Sequence, residues 1–379
     1  MSSFGQTAPQ PGLATSQRGL FGRLLQRRRS SGAKRKPRDA ARSFIVTFVA
    51  VVVVAAFLSP LVRSATLSIK TPQQISAVDG PVVPVSPAIF TYRDRDYPIM
   101  NVPINGTTRE LALVKKGRTS SQFADPADPA AQTAPLIVWQ GNWRALQGVT
   151  RFDPHWENYS NVWNELDYPR LLFNTIVIAL IGMLGTVVSS TLVAYGFARF
   201  RFPGRNLLFI IVIATIFLPG AVTIIPTYTI FARIGWVGTW LPLLVPAFFA
   251  NAYDVFLLRQ YFMTIPREMD EAAAIDGAGP FRTLVSVLLP QALPVIIAVA
   301  IFHLVYSWND FFAPLIYLSS NADLQTIPVG LARFSGARVA QDPGLIQAGT
   351  LMTLVIPVLL FLVFQRFFVR GIVITGVEK

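Results

Sequence analysis

The 379-residue chain has no cysteine, only two histidines, and charge on just 14% of its residues. Without cysteine there is no disulfide, no thiolate-bound zinc, no iron–sulfur cluster and no thiol nucleophile. His155 and His303 are too few and too far apart in sequence to suggest a metal site. No Gly-Lys dipeptide occurs anywhere, which removes the Gly-rich loop that cradles nucleotide phosphates. A soluble domain of this length usually carries charge on about a quarter of its residues. Here 52% of residues are apolar and the mean hydropathy is +0.47, so the apolar excess is not confined to a core. An ordinary soluble enzyme is excluded, and a bundle of membrane helices is the natural unit.

The net charge of +13 resembles a nucleic-acid signal until its placement is examined. Between residues 18 and 42 there are ten Lys or Arg against a single acid, Asp39. That stretch supplies nine of the thirteen excess charges and ends at the apolar run Phe44–Val62. A basic block abutting a membrane span marks a cytoplasmic flank and favours anionic lipid, so no nucleic-acid partner is expected.

A membrane helix needs about 20 apolar residues, because each rises about 1.5 Å across a core of about 30 Å. Six stretches qualify: Phe44–Val62, Leu171–Ala198, Asn206–Ala232 (broken by Pro219 and Pro226), Leu241 to about Phe262, about Gln291 to Leu318, and Gly344–Phe364. Arg199, Arg201 and Arg205 lie between the second and third, and Arg366, Arg370 and Lys379 follow the sixth, which sets both termini in the cytoplasm. The first run exceeds the 7–15 residues of a signal-peptide core, so a retained anchor is expected rather than a cleaved leader.

The polar region at about 68–165 must then be extracytoplasmic. Its short alternating runs, Ile89–Tyr92, Arg109–Val114 and Leu136–Trp139, with Asn105-Gly106 as a hairpin turn, predict a small β-rich insert. Tyr92, Tyr97, Phe123, Trp139 and Trp143 give it something to bury. Asn105-Gly106-Thr107 and Asn158-Tyr159-Ser160 match glycosylation acceptors, a motif too common by chance to carry weight.

The informative stretch is Pro266–Pro290. Pro266, Glu268, Asp270 and Glu271 suit the start of a short helix, Ala272–Ala274 favour its middle, and Gly277 and Gly279 stop it before Pro280 opens the next. Small alanines leave a slim surface that fits a groove on a partner, with carboxylates beside it. Within the spans, Asn251, Asp254, His303, Ser307, Asn309 and Asp310 are polar groups at depth, where they hydrogen-bond between helices or line a pathway. His303, Ser307 and Asp310 are spaced to share a face. Trp308 suits either a flat stacking surface along such a pathway or an interfacial anchor.

Glu271-Ala272-Ala273, Gly277 six residues after the Glu, and Leu289-Pro290 resemble the coupling loop of permease subunits of bacterial ABC importers. Phe256–Phe262 leading into Ile265-Pro266, Ala274–Ala278 and Trp308–Phe311 narrow the resemblance to carbohydrate permeases of the maltose type, over roughly residues 155–379. The resemblance implies an all-α integral membrane bundle of six transmembrane helices, of the type I importer permease class, with the β-rich insert outside the family pattern. The domains expected are a basic, disordered tail at 1–42, a first transmembrane helix at 43–67, the insert at 68–165, a five-helix core at 166–368 containing the loop 264–290, and a cytoplasmic tail at 369–379.

The resemblance further implies that Glu268, Asp270, Glu271, Ala272, Ala273, Ile275, Asp276 and Gly277 form a coupling helix docked on a cytoplasmic ATPase, with Gly371, Thr375, Gly376 and Glu378 as a second contact. Asn251, Asp254, His303, Ser307, Trp308, Asn309 and Asp310 are the candidate pathway. No catalytic or metal residue is expected, and no cofactor on this chain, since ATP and Mg would belong to the ATPase. Implied partners are a second related permease, two ATPase subunits, an extracytoplasmic substrate-binding protein and membrane lipid. The function implied is import of a sugar or oligosaccharide across the bacterial cytoplasmic membrane by alternating access. The residues leave open a non-sugar solute on the same architecture, an ion-coupled secondary transporter using Asp254 and His303, or a membrane scaffold.

Overall fold

The computed structural model describes residues 37–77, 80–104, 106–338 and 342–374. Helix α1 runs from Pro37 to Ser68, and from Phe44 to Leu58 it is apolar around its whole circumference, as a lipid-facing helix is. It corrects one expectation. Residues 37–42 are helical rather than part of a disordered tail, because a proline in the first turn lacks only an N–H that would have no partner there. Residues 1–36 of the expected tail lie outside the described residues. Chain packing separates a unit ending at Leu61 from one beginning at Val62.

In the second unit, strands occupy the region from Val85 to Phe152. An antiparallel sheet has the order β2 (Ile89–Tyr92), β3 (Arg95–Ile104), β4 (Thr107–Lys115), β5 (Ser120–Ala124), β6 (Ile137–Gln140), with β7 (Gln147–Gly148) on β3. β1 (Val85–Pro87) pairs separately with β8 (Thr150–Phe152). Alternation puts Val102, Leu111, Leu113 and Phe123 in one buried cluster and Tyr92, Ala112 and Ala124 in another, so both faces of β4 are covered. Ile104 pairs with Thr107 across a two-residue turn in which Gly106 has φ +78°. Asn105 of that expected turn lies outside the described residues.

The helical part is organised around α3 (Tyr168–Arg199), preceded by the short α2 (Glu157–Glu165). Its 32 residues span about 48 Å. Near its last turns, Ala194, Tyr195, Phe197 and Ala198 pack with Val255, Leu258, Phe262, Leu284 and Leu288. Near its start, Tyr168 and Leu171 pack with Val162, Trp308, Ile327, Leu345 and Ala348. After it come α4 (Arg205–Ala214), α5 (Gly220–Arg233), α6 (Ala252–Thr264), α7 (Glu268–Ile275), α8 (Leu289–Asn309), α9 (Phe312–Tyr317), α10 (Ile327–Arg338) and α11 (Pro343–Ile374).

Five helical stretches among the described residues are long and apolar enough to cross a membrane: Ser43–Ser68, Tyr168–Arg199, Leu241–Thr264, Pro280–Asn309 and Pro343–Gln365. A sixth exists if the α4–α5 pair, bent by 102°, is one span. The bend falls at Pro219, whose ψ of 131° takes it out of the helix, whereas Pro226 is accommodated inside α5. The fifth span stops short of the expected Leu318. The backbone turns extended at Asp310 (φ −67°, ψ 119°), and α9 restarts beyond it. A π-turn over Leu284–Leu288 leads into α8. Pro290 in regular α geometry would clash with the carbonyl of Ser286 and leave it unbonded, and the wider turn relieves this.

Asn158 holds the entry to this bundle. It is 1% exposed, and its Nδ2 donates to the carbonyls of Ser68 (2.8 Å) and Lys70 (3.1 Å). Tyr159 meets the Ser68 hydroxyl at 2.8 Å. A sugar cannot be attached to Asn158 in this fold. Asn158→Ala leaves two buried carbonyls without donors and should lower stability by about 2–4 kcal/mol, read as a fall in melting temperature of the detergent-purified chain. A wild-type melting curve would show that the clasp contributes nothing.

Candidate functional site

The fourth apolar stretch is interrupted at its centre. A turn at Leu241–Leu244 passes into a 3₁₀ turn at Val245–Phe249, Ala250 takes φ +62° and ψ 137°, and α6 begins only at Ala252. That conformation is sparsely populated for alanine and persists only when neighbours hold it. Here α3 holds it. The Ala250 and Asn251 N–H groups donate to the hydroxyls of Ser189 (3.0 Å) and Ser190 (3.2 Å), and the Ser189 hydroxyl donates to the Ala247 carbonyl (3.1 Å). Asn251 Oδ1 then caps α6, accepting from the N–H of Tyr253 at 2.9 Å and of Asp254 at 3.4 Å. Two glycines on α3 leave room for rings packed against it. A Cβ at Gly185 would meet the Phe248 ring at 2.8 Å, and one at Gly182 would meet His303 Nε2 at 2.6 Å.

The break opens a cavity of about 570 Å³. Asn251, Asp254, His303 and Asp310 converge on it, with Thr186, Tyr253, Phe302 and Tyr306 beside them. His303 Nδ1 lies 3.0 Å from the Thr186 hydroxyl. Three of the expected pathway residues are not brought here. At 100° per residue, Ser307 is turned about 40° from His303, Trp308 about 140° and Asn309 about 120° the other way. Trp308 is 3% exposed in the core beside Leu171, its Nε1 donating to the Thr353 carbonyl at 3.3 Å, so it offers no ring to a solute and is not an interfacial anchor. Asn309 Nδ2 bonds back to the Val305 carbonyl at 2.8 Å. Sequence reasoning did not single out Thr186, Tyr253 or Phe302 for this site. An Asn placed just before a helical run after Pro242 and Pro246 was the available signal of a break.

The second site is the loop around α7. The helix ends as a Schellman motif: the Ala278 N–H bonds to the Ala273 carbonyl (2.9 Å) and the Gly277 N–H to that of Ala274 (3.0 Å), with Gly277 at φ +78°. Its carboxylates do not act alike. Asp270 points inward, with Oδ2 2.9 Å from Arg199 Nε, an ion pair with side chains 25% and 8% exposed. Ala273 is buried as well. Arg199 also donates to the Ile265 carbonyl (3.0 Å), and the Tyr195 hydroxyl donates to that of Pro280 (3.0 Å). The last two turns of α3 therefore grip the loop before, within and after α7. Arg199 had been read only as a topology charge, and its role as a clamp is not visible in local sequence. Glu268, Glu271, Ala272, Asp276 and Gly277 are exposed, and Ile275, at 87%, is the most exposed large apolar side chain of the chain's described residues.

The Arg259–Phe262 stretch serves packing. The Arg259 guanidinium sits 4.0 Å from the Phe209 ring centroid, and the Tyr261 hydroxyl donates to the Gln291 carbonyl at 2.8 Å. Gly371 belongs to the backbone of α11, which continues past the expected span end at Phe364 to Ile374, while Thr375, Gly376 and Glu378 lie outside the described residues.

Removing one partner of the Arg199–Asp270 pair strands a charge in a mostly buried place. Arg199→Met should cost about 3–5 kcal/mol, and Arg199→Met with Asp270→Leu should recover much of it. Thermal unfolding of the two variants tests this; equal melting points would show that the pair is solvated rather than structural.

The sequence pattern of the family described as "binding-protein-dependent transport system inner membrane component" matches residues 185–373. The osmoprotective compounds uptake permease protein GgtD of Synechocystis sp. is 32% identical over 279 residues, covering 73% of this chain and 92% of that protein. The sn-glycerol-3-phosphate transport system permease protein UgpE of Agrobacterium fabrum is 38% identical over 207 residues, covering 54% of this chain and 73% of that protein. A solved bacterial ABC transporter involved in the import of the acidic polysaccharide alginate superposes with a TM-score of 0.60 at 17% identity, over 88% of this chain and 99% of its own, a likeness of fold. The interrupted apolar spans, the α7 loop and these matches agree: the chain belongs to the family of inner-membrane components of binding-protein-dependent transport systems, as a multi-pass permease subunit of an ABC importer whose ATP hydrolysis resides on separate subunits.

Proposed function

We propose that the chain imports a sugar or oligosaccharide, that α7 is the contact through which an ATPase drives it, and that the cavity beside Asp254 is its share of the solute pathway. The observation that carries the coupling assignment is the pairing of an outward Ile275 with an inward clamp. The exposed side of α7 offers an apolar tip flanked by Glu268, Glu271 and Asp276, and Asp270 ties its hidden side to α3. A partner that grips the tip pulls on α3. ATP and Mg would be held by that partner.

The remaining arrangement follows from the charge distribution and the resemblance. The bent α4–α5 pair counts as one of six spans, both termini are cytoplasmic, and the region 68–165 lies outside. The complex contains a second related permease, two ATPase subunits and a substrate-binding protein beyond the membrane, with the basic tail on anionic lipid. The C-terminal residues from Gly371, with Thr375, Gly376 and Glu378, give a second ATPase contact. The names of the relatives carry osmoprotective compounds and a glycerol phosphate, and that of the solved importer a polysaccharide; hydroxyl-bearing solutes are common to the last two.

Gly277→Val separates coupling from folding. No atom lies within 4 Å of the new Cβ, so nothing clashes, but the φ of +78° is strained for a β-branched residue by about 1–3 kcal/mol. The variant should reach the membrane in normal amount and lose most ATP-driven uptake in vesicles carrying the whole importer. Ile275→Asp, which leaves the clamp untouched, should do the same. Full uptake by both variants would remove α7 from the coupling role.

A further inference from the structure

The wall of the cavity is chemically one-sided. Among the described residues that line it none is Lys or Arg, while two are aspartates. Asp254 is 7% exposed, and no hydrogen bond or ion pair from a described residue reaches its carboxylate, so it is aimed into the cavity without a protein partner. Asp310 is engaged by backbone at the start of α9, accepting from the Ala313 N–H at 3.3 Å and from the Phe312 N–H, with no cation beside it. Asn251, already used by its Oδ1 as the α6 cap, keeps its amide N–H groups free of any described partner. Tyr253, Phe302 and Tyr306 supply flat apolar faces.

We propose that this wall admits an uncharged polyhydroxylated solute and turns away solutes bearing phosphate or carboxylate. The inference rests on the reading of the cavity as solute pathway. Hydroxyl groups are served here at every point, with carboxyl oxygens to accept from them, an amide to donate, and aromatic faces for the C–H surfaces of a sugar ring. An anion meets no counter-charge in a low-dielectric wall. An ionised Asp254 or Asp310 adds repulsion of the anion to the missing counter-charge. Exclusion by an absent counter-charge is a negative determinant, which separates solutes more sharply than a favourable contact does. The selection differs from what the names of two similar proteins carry, sn-glycerol-3-phosphate and an acidic polysaccharide, both anionic.

The lack of cysteine makes the wall directly testable, since a single introduced thiol is unique in the chain. Ala313→Cys and Ala247→Cys, both at the cavity, are placed singly in the assembled importer in proteoliposomes. Each is treated with a cationic trimethylammonium-ethyl or an anionic sulfonatoethyl methanethiosulfonate of similar size, and modification of this chain is followed by mass. Rates are divided by those of the same reagents with free mercaptoethanol. The cationic reagent should react roughly tenfold faster, the scale of one nearby charge in a partly hydrated site, and Asp254→Asn with Asp310→Asn should bring the ratio towards one. Should the double variant fail to assemble, Asp310→Asn alone carries the comparison. Equal rates for the two reagents in the native wall would overturn the selection while leaving the cavity on an accessible path. Labelling by neither reagent, with or without ATP, would overturn the pathway reading itself.

Discussion

A backbone break at membrane depth has to find its hydrogen bonds inside the protein, because lipid supplies none. At Ala250-Asn251 it finds them in two adjacent hydroxyls of α3, Ser189 and Ser190, and in the Asn251 side chain itself. The rest of the site follows from that requirement. On the same helix Gly185 leaves room for the Phe248 ring of the broken segment, and Gly182 for the His303 ring of α8. Close approach brings His303 against Thr186, and the departure of the chain from helical geometry leaves the space that Asp254 and Asp310 face. Polar residues that would be costly on an unbroken lipid-facing helix become affordable because they surround a void lined by protein.

What was legible in the sequence and what was not divides along the range of the interactions. Helix α3 could be read from its uninterrupted apolar run, the bend at Pro219 from the chemistry of proline, and the end of α7 from Gly277, because each is decided within a few residues. The convergence of Asp254, His303 and Asp310 depends on three separate stretches meeting, and no local pattern encodes it. Trp308 shows the same limit. Next to Asn309-Asp310 it had the look of a binding residue, yet a rotation of 140° from His303 sends it into the core. The acids of α7 illustrate it at shorter range, since three carboxylates in one turn looked equivalent until Arg199, seventy-one residues earlier, selected Asp270.

The two sites share α3, and their spacing along it matters. Arg199 and Tyr195 grip the loop at one end of the helix; Thr186, Ser189 and Ser190 serve the cavity 9 to 13 residues earlier, about 14–20 Å away. Between them the helix contains no proline and no break, and on its inner side it is packed against α6 and α8. A packed, continuous helix does not absorb displacement along its length as a loop does. On the proposed coupling role of α7, a shift imposed through Asp270 would travel along α3 to Ser189 and Ser190, which hold a segment by hydroxyls rather than by its own helical ladder. Side-chain hydrogen bonds across 3.0–3.2 Å exchange partners far more readily than an α-helical register slips, so under that proposal the break at Ala250-Asn251 is the place where an imposed shift would become a change in cavity shape.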